Sequence, residues 1–168
     1  GNLCASLLVL SSGCREYGRD DLARRAEALE QAMDFAPLYD EKRRLFRIGR
    51  NVDAGRFDAG CYDLLASESR LLSFVAIMLG QVPVRHWYRL GRLYTRVPGG
   101  AQAFISYNGT MFEYLMPLLF QPAVPGTLLD GVYHALVKAQ KRCRRGGVFG
   151  VSESGYYAFD PNLYYLYK

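Results

Sequence analysis

Residues 3–33, LCASLLVLSSGCREYGRDDLARRAEALEQAM, decide how the fold is read. Leu3, Leu7, Leu10, Cys14 and Tyr17 recur at three- and four-residue steps, the repeat that places side chains on one face of an α-helix. Gly18 supplies a stop, and Asp20 and Asp21 stand where acidic groups favour the positive end of a new helix. Leu22, Ala26, Leu29 and Met33 continue the pattern. Two helices joined by so short a turn form an antiparallel hairpin.

Beyond this hairpin the helical period disappears from Asp34 to Gly60. Leu45 to Gly49 partly alternates apolar and polar residues and Asn51 to Gly55 carries turn chemistry, so a short strand or hairpin is expected within a long interhelical loop. Asp63 to Gln81 returns to helix, and Leu71, Leu72, Phe74, Val75, Ile77, Met78 and Leu79 leave almost no polar face, which predicts burial among other helices. Val84 to Arg92 makes another short helix, and Leu93 to Tyr107 an irregular or strand-like loop turning at Pro98-Gly99-Gly100. Thr110 to Phe120 is helical but disturbed near Pro117, which has no amide hydrogen for the ladder. Thr127 opens the last clear helix, with Leu128, Val132, Leu136 and Val137 inward and Lys141, Arg142, Arg144 and Arg145 crowding its negative end. The pattern predicts an all-α fold of paired helices separated by long polar-aromatic loops.

The 168 residues suffice for a single domain with a substantial core. Half of them are apolar and 14% aromatic, which argues against disorder. Thirteen tyrosines suit a polar-rimmed core or a ligand groove, because the ring packs while the hydroxyl finds a partner. No apolar run approaches the ~20 residues of a spanning helix, and no signal-peptide pattern opens the chain. The first residue is glycine and the aromatic run at the end stops at Lys168, so the chain is expected to be a piece of a longer protein. Cys4, Cys14, Cys61 and Cys143 match no zinc or redox spacing and are expected to be structural. His86 and His134 are isolated, and neither a metal nor any other cofactor is expected. The basic cluster Lys141 to Arg145 lacks a recognisable reading module, and nucleic acid is not expected as a partner.

Three glutamates stand near aromatics and glycines. Glu68, at the mouth of the most apolar helix, reads either as a desolvated general acid or as a solvated first-turn glutamate. Glu113 fits a capping box with Thr110, while Tyr107-Asn108-Gly109 just before it could line a polar ligand. Glu153 lies in Gly147 to Tyr157 between Ser152 and Ser154, an acid among hydroxyls with Tyr156 and Tyr157 beside it; it reads as a sugar-site acid or as an exposed loop residue. Those tyrosines and Trp87 could stack on sugar rings or fill a core.

Asp34-Phe35 through Leu38-Tyr39-Asp40, Tyr62 through Glu68, His86-Trp87-x-Arg89-Leu90-Gly91-Arg92, Gly109 through Pro117, Pro125 through Leu129 and Gly150-x-Ser152-Glu153-Ser154 occur in one order. Together they resemble the glycoamylase-like domain of cyclic β-1,2-glucan synthases. The resemblance implies an all-α, partial (α/α)₆ toroid of helical hairpins with long loops and short β-hairpins at the cleft end. It also implies that residues 1–168 form a single glycoamylase-like domain, truncated on its C-terminal side and lacking the start of its parent. The implied activity is retaining transglycosylation, closing linear β-1,2-glucan into a ring. By the same resemblance Glu153 is the nucleophile and Glu68 the general acid/base, while Glu113, Asp63, Trp87, Tyr107 and Tyr156 bind substrate. The implied partner is a β-1,2-glucan oligosaccharide or polysaccharide. The parent is expected to be a bacterial inner-membrane protein with this segment soluble and out of contact with the membrane. An endo-β-1,2-glucanase and a non-catalytic glucan-binding remnant are the alternatives. After Ser154 the chain reads Gly-Tyr-Tyr-Ala-Phe-Asp, where the family usually carries an alanine and an asparagine beside the tyrosine.

Overall fold

The structure, a computed structural model, describes residues 1–143, 146–147, 155–159, 161 and 165–167. They fall into two compact units, residues 1–65 with 69–91 and residues 66–68 with 92–168.

The first unit opens with the expected hairpin, α1 (Asn2–Glu16) and α2 (Asp20–Gln31), with Gly18 at φ +67° in the turn between them. The Arg15 guanidinium donates to both Glu27 carboxylate oxygens at 2.6–2.9 Å, tying the two helices on their solvent side. The buried face differs from the leucine stripe. Cys4, Ala5, Leu7 and Ser11 of α1 and Ala23, Ala26 and Glu30 of α2 are buried, whereas Leu3, Leu10, Tyr17 and Leu29 are more than half exposed. Mostly small residues therefore occupy the buried face, with Leu7 and Glu30 the large ones among them. Burial pushes the Cys4 thiol above its ordinary range, and the nearby Glu30 charge adds to the effect.

The long interhelical loop in which a short strand or hairpin is expected holds five strands. Strands β1 (Tyr39–Asp40), β2 (Leu45–Arg47), β3 (Arg50–Asn51), β4 (Arg56–Phe57) and β5 (Cys61–Tyr62) pair as an antiparallel three-stranded sheet in the order β1-β2-β5 and a separate β3-β4 ribbon. The β1-β2 turn closes through Arg44, whose φ of +59° is unusual for a residue with a side chain, and whose amide donates to the Asp40 carbonyl at 2.6 Å. Helices α3 (Arg70–Met78) and α4 (Arg85–Arg89) follow. Phe46, Ala76 and Val82 form a core with Phe35, Leu38, Tyr39, Tyr62, Leu72 and Ile77 packed against it. α3 begins seven residues later than the apolar pattern suggests, and it is not surrounded by protein: Phe74 and Met78, one turn apart, are 42% and 54% exposed.

In the second unit β6 (Tyr94–Arg96) and β7 (Gln102–Phe104) form a hairpin. Its turn contains Gly99 and Gly100 at φ +98° and +82°, conformations that glycine adopts without steric cost. α5 (Met111–Leu115) passes into a 3₁₀ turn at Met116–Leu119, where Pro117 interrupts the α-helical ladder as its chemistry requires. α6 (Leu128–Arg142) packs on β7, burying Val132, Tyr133, Leu136 and Ala139. Strands β8 (Gly155–Phe159) and β9 (Tyr165–Tyr167) pair antiparallel.

The expected all-α (α/α)₆ toroid is thus corrected to a mixed α/β structure, with nine short strands in four antiparallel sheets among the described residues. The physical reason is that the segments between helices satisfy their backbone groups by pairing with one another. No helix among the described residues is long and apolar enough to cross a membrane.

Candidate functional site

In the first unit the chain leading toward Glu68 is fixed by Gly91. The Gly91 amide donates to the Asp63 carbonyl at 2.6 Å, and the Gly91 carbonyl accepts from the Leu65 amide at 3.0 Å, so Leu64 pairs with Gly91 in a parallel bridge. A β-carbon at Gly91 would stand 3.2 Å from the Asp63 carbonyl oxygen and 3.3 Å from the Leu64 side chain. Only glycine permits this approach without displacement. The Asp63 residue is exposed, and Trp87, the single tryptophan, is half-buried on α4 four residues before this clamp.

α4 is itself held by His86. The ring is fully buried, with Nδ1 2.8 Å from the Arg44 carbonyl oxygen and Nε2 2.8 Å from Ser73 Oγ. A carbonyl only accepts, so Nδ1 carries the hydrogen and Nε2 accepts from the Ser73 hydroxyl. Tyr39 and Phe46 meet the ring edge-on at centroid distances of 5.4 and 5.0 Å. Burial lowers the imidazole pKa, with the Arg44 hydrogen bond opposing that shift. His86 therefore fastens the left-handed turn at Arg44 to α3, in accord with the structural role expected for it.

In the second unit Glu68 is half-buried in the turn that precedes α3 in sequence. Its neighbours Ala66 and Ser67 are fully buried, and the Ser67 hydroxyl donates to Glu68 Oε2 at 3.1 Å. This turn replaces the helix expected over the same residues. It holds the carboxyl group by a local hydrogen bond and leaves part of it open to solvent.

The Glu113 carboxylate is enclosed. It is 2% exposed and accepts from the Asn108 amide at 3.0 Å, the Ser106 hydroxyl at 3.0 Å, the Thr110 amide at 3.0 Å and the Thr110 hydroxyl at 3.3 Å. The Thr110 oxygen in turn accepts from the Glu113 amide, completing the expected capping box at the start of α5. Ser106 Oγ also accepts from the Gly109 amide at 2.8 Å. The loop from Ser106 to Gly109 is thereby wound around a single carboxylate, and the half-exposed Tyr107 ring projects from it. Behind the loop, the Tyr114 hydroxyl donates to the Phe104 carbonyl at 2.5 Å, and burial raises its pKa.

The structure thus groups Glu68, Tyr107 and Glu113 in one unit and Asp63 and Trp87 in the other. Glu153 lies outside the described residues; Tyr156 falls within β8. Ser106 was not among the residues singled out by sequence, and Gly91 entered only as part of the motif from His86 to Arg92. Ser106-Tyr107-Asn108-Gly109 carries ordinary turn chemistry that could have drawn attention to the serine, but nothing local marks Gly91, whose partners lie 26–28 positions earlier. Among the described residues no group of three or more His, Cys, Asp and Glu side chains could hold a metal ion.

A comparison with descriptions of known protein families finds no match. Over 149 residues, 87% of its length, the chain is 44% identical to the cyclic β-(1,2)-glucan synthase NdvB of Rhizobium meliloti (strain 1021), of which it spans 5%. By sequence, the chain is therefore a relative of one short segment of a cyclic β-(1,2)-glucan synthase.

Proposed function

We propose that this chain acts on β-1,2-glucan as a retaining transglycosylase, performing the cyclisation step within a cyclic β-1,2-glucan synthase. The observation that carries the reading is the 44% identity to NdvB over 87% of the chain. Glu153 attacks the anomeric carbon as the glycosidic C–O bond breaks, and Glu68 gives its proton to the departing oxygen. A covalent glycosyl ester on Glu153 results. Glu68, now ionised, takes the proton of an incoming hydroxyl from the far end of the same glucan chain, and that oxygen displaces the ester with overall retention. Atoms balance without water or a metal entering the step.

The surroundings of Glu68 support this role. A half-buried carboxyl with one hydroxyl donor retains access to a substrate oxygen while its rotamer is restrained. Asp63 and Trp87 contact sugar through a carboxylate and an indole face, as do the rings of Tyr107 and Tyr156. Glu113 serves sugar binding by fastening the loop that presents Tyr107, since its own oxygens already accept from Ser106, Asn108 and Thr110. The test is product analysis with linear β-1,2-glucan in the full-length protein that carries this sequence. Cyclic product without new reducing ends is expected. Linear products with new reducing ends would replace transglycosylation by hydrolysis, and binding without turnover would exclude catalysis.

A further inference from the structure

The second unit contains an open groove of about 390 Å³, between the β6-β7 hairpin and the first two turns of α6, that no step above uses. Its volume lies within the ~300–1,000 Å³ of small-ligand sites. Tyr94, Gln102, Thr127, Leu128, Gly131 and Ala135 are among its lining residues, and none of the lining residues carries a charge. The Tyr94 ring is 45% exposed yet fixed in direction, tilted against the buried Phe104 ring at a centroid distance of 4.8 Å. Gln102 is exposed and presents an amide, and Leu128 leaves an apolar edge 62% exposed at the rim.

Gly131 sharpens the interpretation. It lies inside α6, where glycine is among the least favourable residues, yet a β-carbon there would meet no atom within 4 Å. Packing does not require glycine at this position. Gly131 lines the groove, and the space beside its α-carbon is open.

We propose that this groove is an accessory binding site for a neutral glucan segment, with the Tyr94 ring stacking on a sugar face and the Gln102 amide hydrogen-bonding to hydroxyl groups. An aromatic face, an amide and an uncharged lining fit a polyhydroxyl ligand with no formal charge, and they offer nothing to a phosphate or a nucleic-acid backbone. The inference rests on reading the chain as a β-1,2-glucan domain, and it extends that reading to residues that perform no chemistry.

The experiment titrates the isotopically labelled chain with linear β-1,2-glucan oligosaccharides and follows amide chemical shifts, in parallel with Tyr94→Ala, Gly131→Ala and Gly131→Leu. Gly131→Ala adds a helix-favouring methyl and serves as the folding control for the larger substitution, read by thermal unfolding. Gly131→Leu fills the groove while also favouring helix, and Tyr94→Ala removes the stacking face. Each weakens binding by about tenfold, the scale of one aromatic contact. Shifts concentrate at Gln102, Leu128 and Gly131. Unchanged affinity in both disruptive variants, or no binding by the parent chain, overturns the proposal. Glucan conversion by the full-length protein separates the two readings: conversion that depends on Glu153 and Glu68 without groove binding sinks the groove alone. Groove binding with conversion indifferent to both glutamates sinks the catalytic assignment alone.

Discussion

Glu113 offers the most quantitative test of how the Tyr107 loop is held. Glu113→Ala removes the acceptor of four hydrogen bonds, but the four donors do not lose equally. Asn108 is exposed and Ser106 half-buried, so their donors regain water, and each loss falls near the ~0.5–1.5 kcal/mol net value of an ordinary hydrogen bond. Thr110 is only 5% exposed; its amide is left dry and costs about 1–3 kcal/mol. These losses sum to about 2–6 kcal/mol, a large part of the ~5–15 kcal/mol by which a domain is stable. At about 2–4 °C per kcal/mol for a chain of this size, the melting temperature falls by about 4–24 °C. Glu113→Gln keeps the oxygen that accepts from Ser106 and Thr110 but turns an NH₂ toward the Asn108 amide, so it falls between the parent and Glu113→Ala. Thermal unfolding followed by circular dichroism measures all three proteins. A loss below about 1 kcal/mol for Glu113→Ala would refute the claim that this carboxylate closes the loop. Glu113→Gln also separates two roles in catalysis. Direct sugar contact raises KM with little change in melting temperature, whereas loop fastening lowers melting temperature and turnover together.

Other outcomes follow from the same geometry. Gly91→Ala forces a β-carbon against the Asp63 carbonyl, which as backbone cannot swing aside, and costs about 1–3 kcal/mol, read as a lower urea midpoint. His86 makes stability pH-dependent: its folded-state pKa is lowered by burial, so below about pH 6.5 the unfolded chain binds the extra proton and stability declines until the folded pKa is reached. Urea midpoints between about pH 5 and 8 should rise with pH in the parent, and this component should vanish in His86→Phe. Gly99→Ala places a side chain at φ +98° and directly against the Arg142 guanidinium, so it destabilises the β6-β7 hairpin, while Arg142→Ala relieves the contact but not the backbone strain. The double variant measured by thermal unfolding should recover only part of the loss.

Much of the local structure was legible because it is encoded within a few residues. Gly18 ends α1, Asp20 and Asp21 open α2, Thr110 and Glu113 form the capping box, Pro117 breaks the helix, and Thr127 caps α6 through the Asp130 amide. The fold class was not legible, because strands of two and three residues, as all but β8 are, leave no period to detect. β2 pairs with β5 across thirteen and fifteen intervening positions, a relation that only the folded chain displays. Leucine periodicity also misled at α1 and α2, where mostly small residues fill the buried face and Leu3, Leu10 and Leu29 lie outside it. At α3 the apolar run extended the helix backward over Asp63 to Ser69, where the Gly91 clamp and the Ser67–Glu68 hydrogen bond hold a turn. The glutamates were picked out through resemblance and nearby chemistry. Gly131 was not, since its significance is the empty space beside it.

The central claim is that Glu153 and Glu68 turn linear β-1,2-glucan into a ring, and it is tested most directly by product analysis of the full-length protein and its Glu153→Gln and Glu68→Gln variants. The account predicts cyclic β-1,2-glucan from the parent and none from either variant, with folding of both variants intact by circular dichroism. Cyclic product formed by both variants at the parent's rate would contradict it.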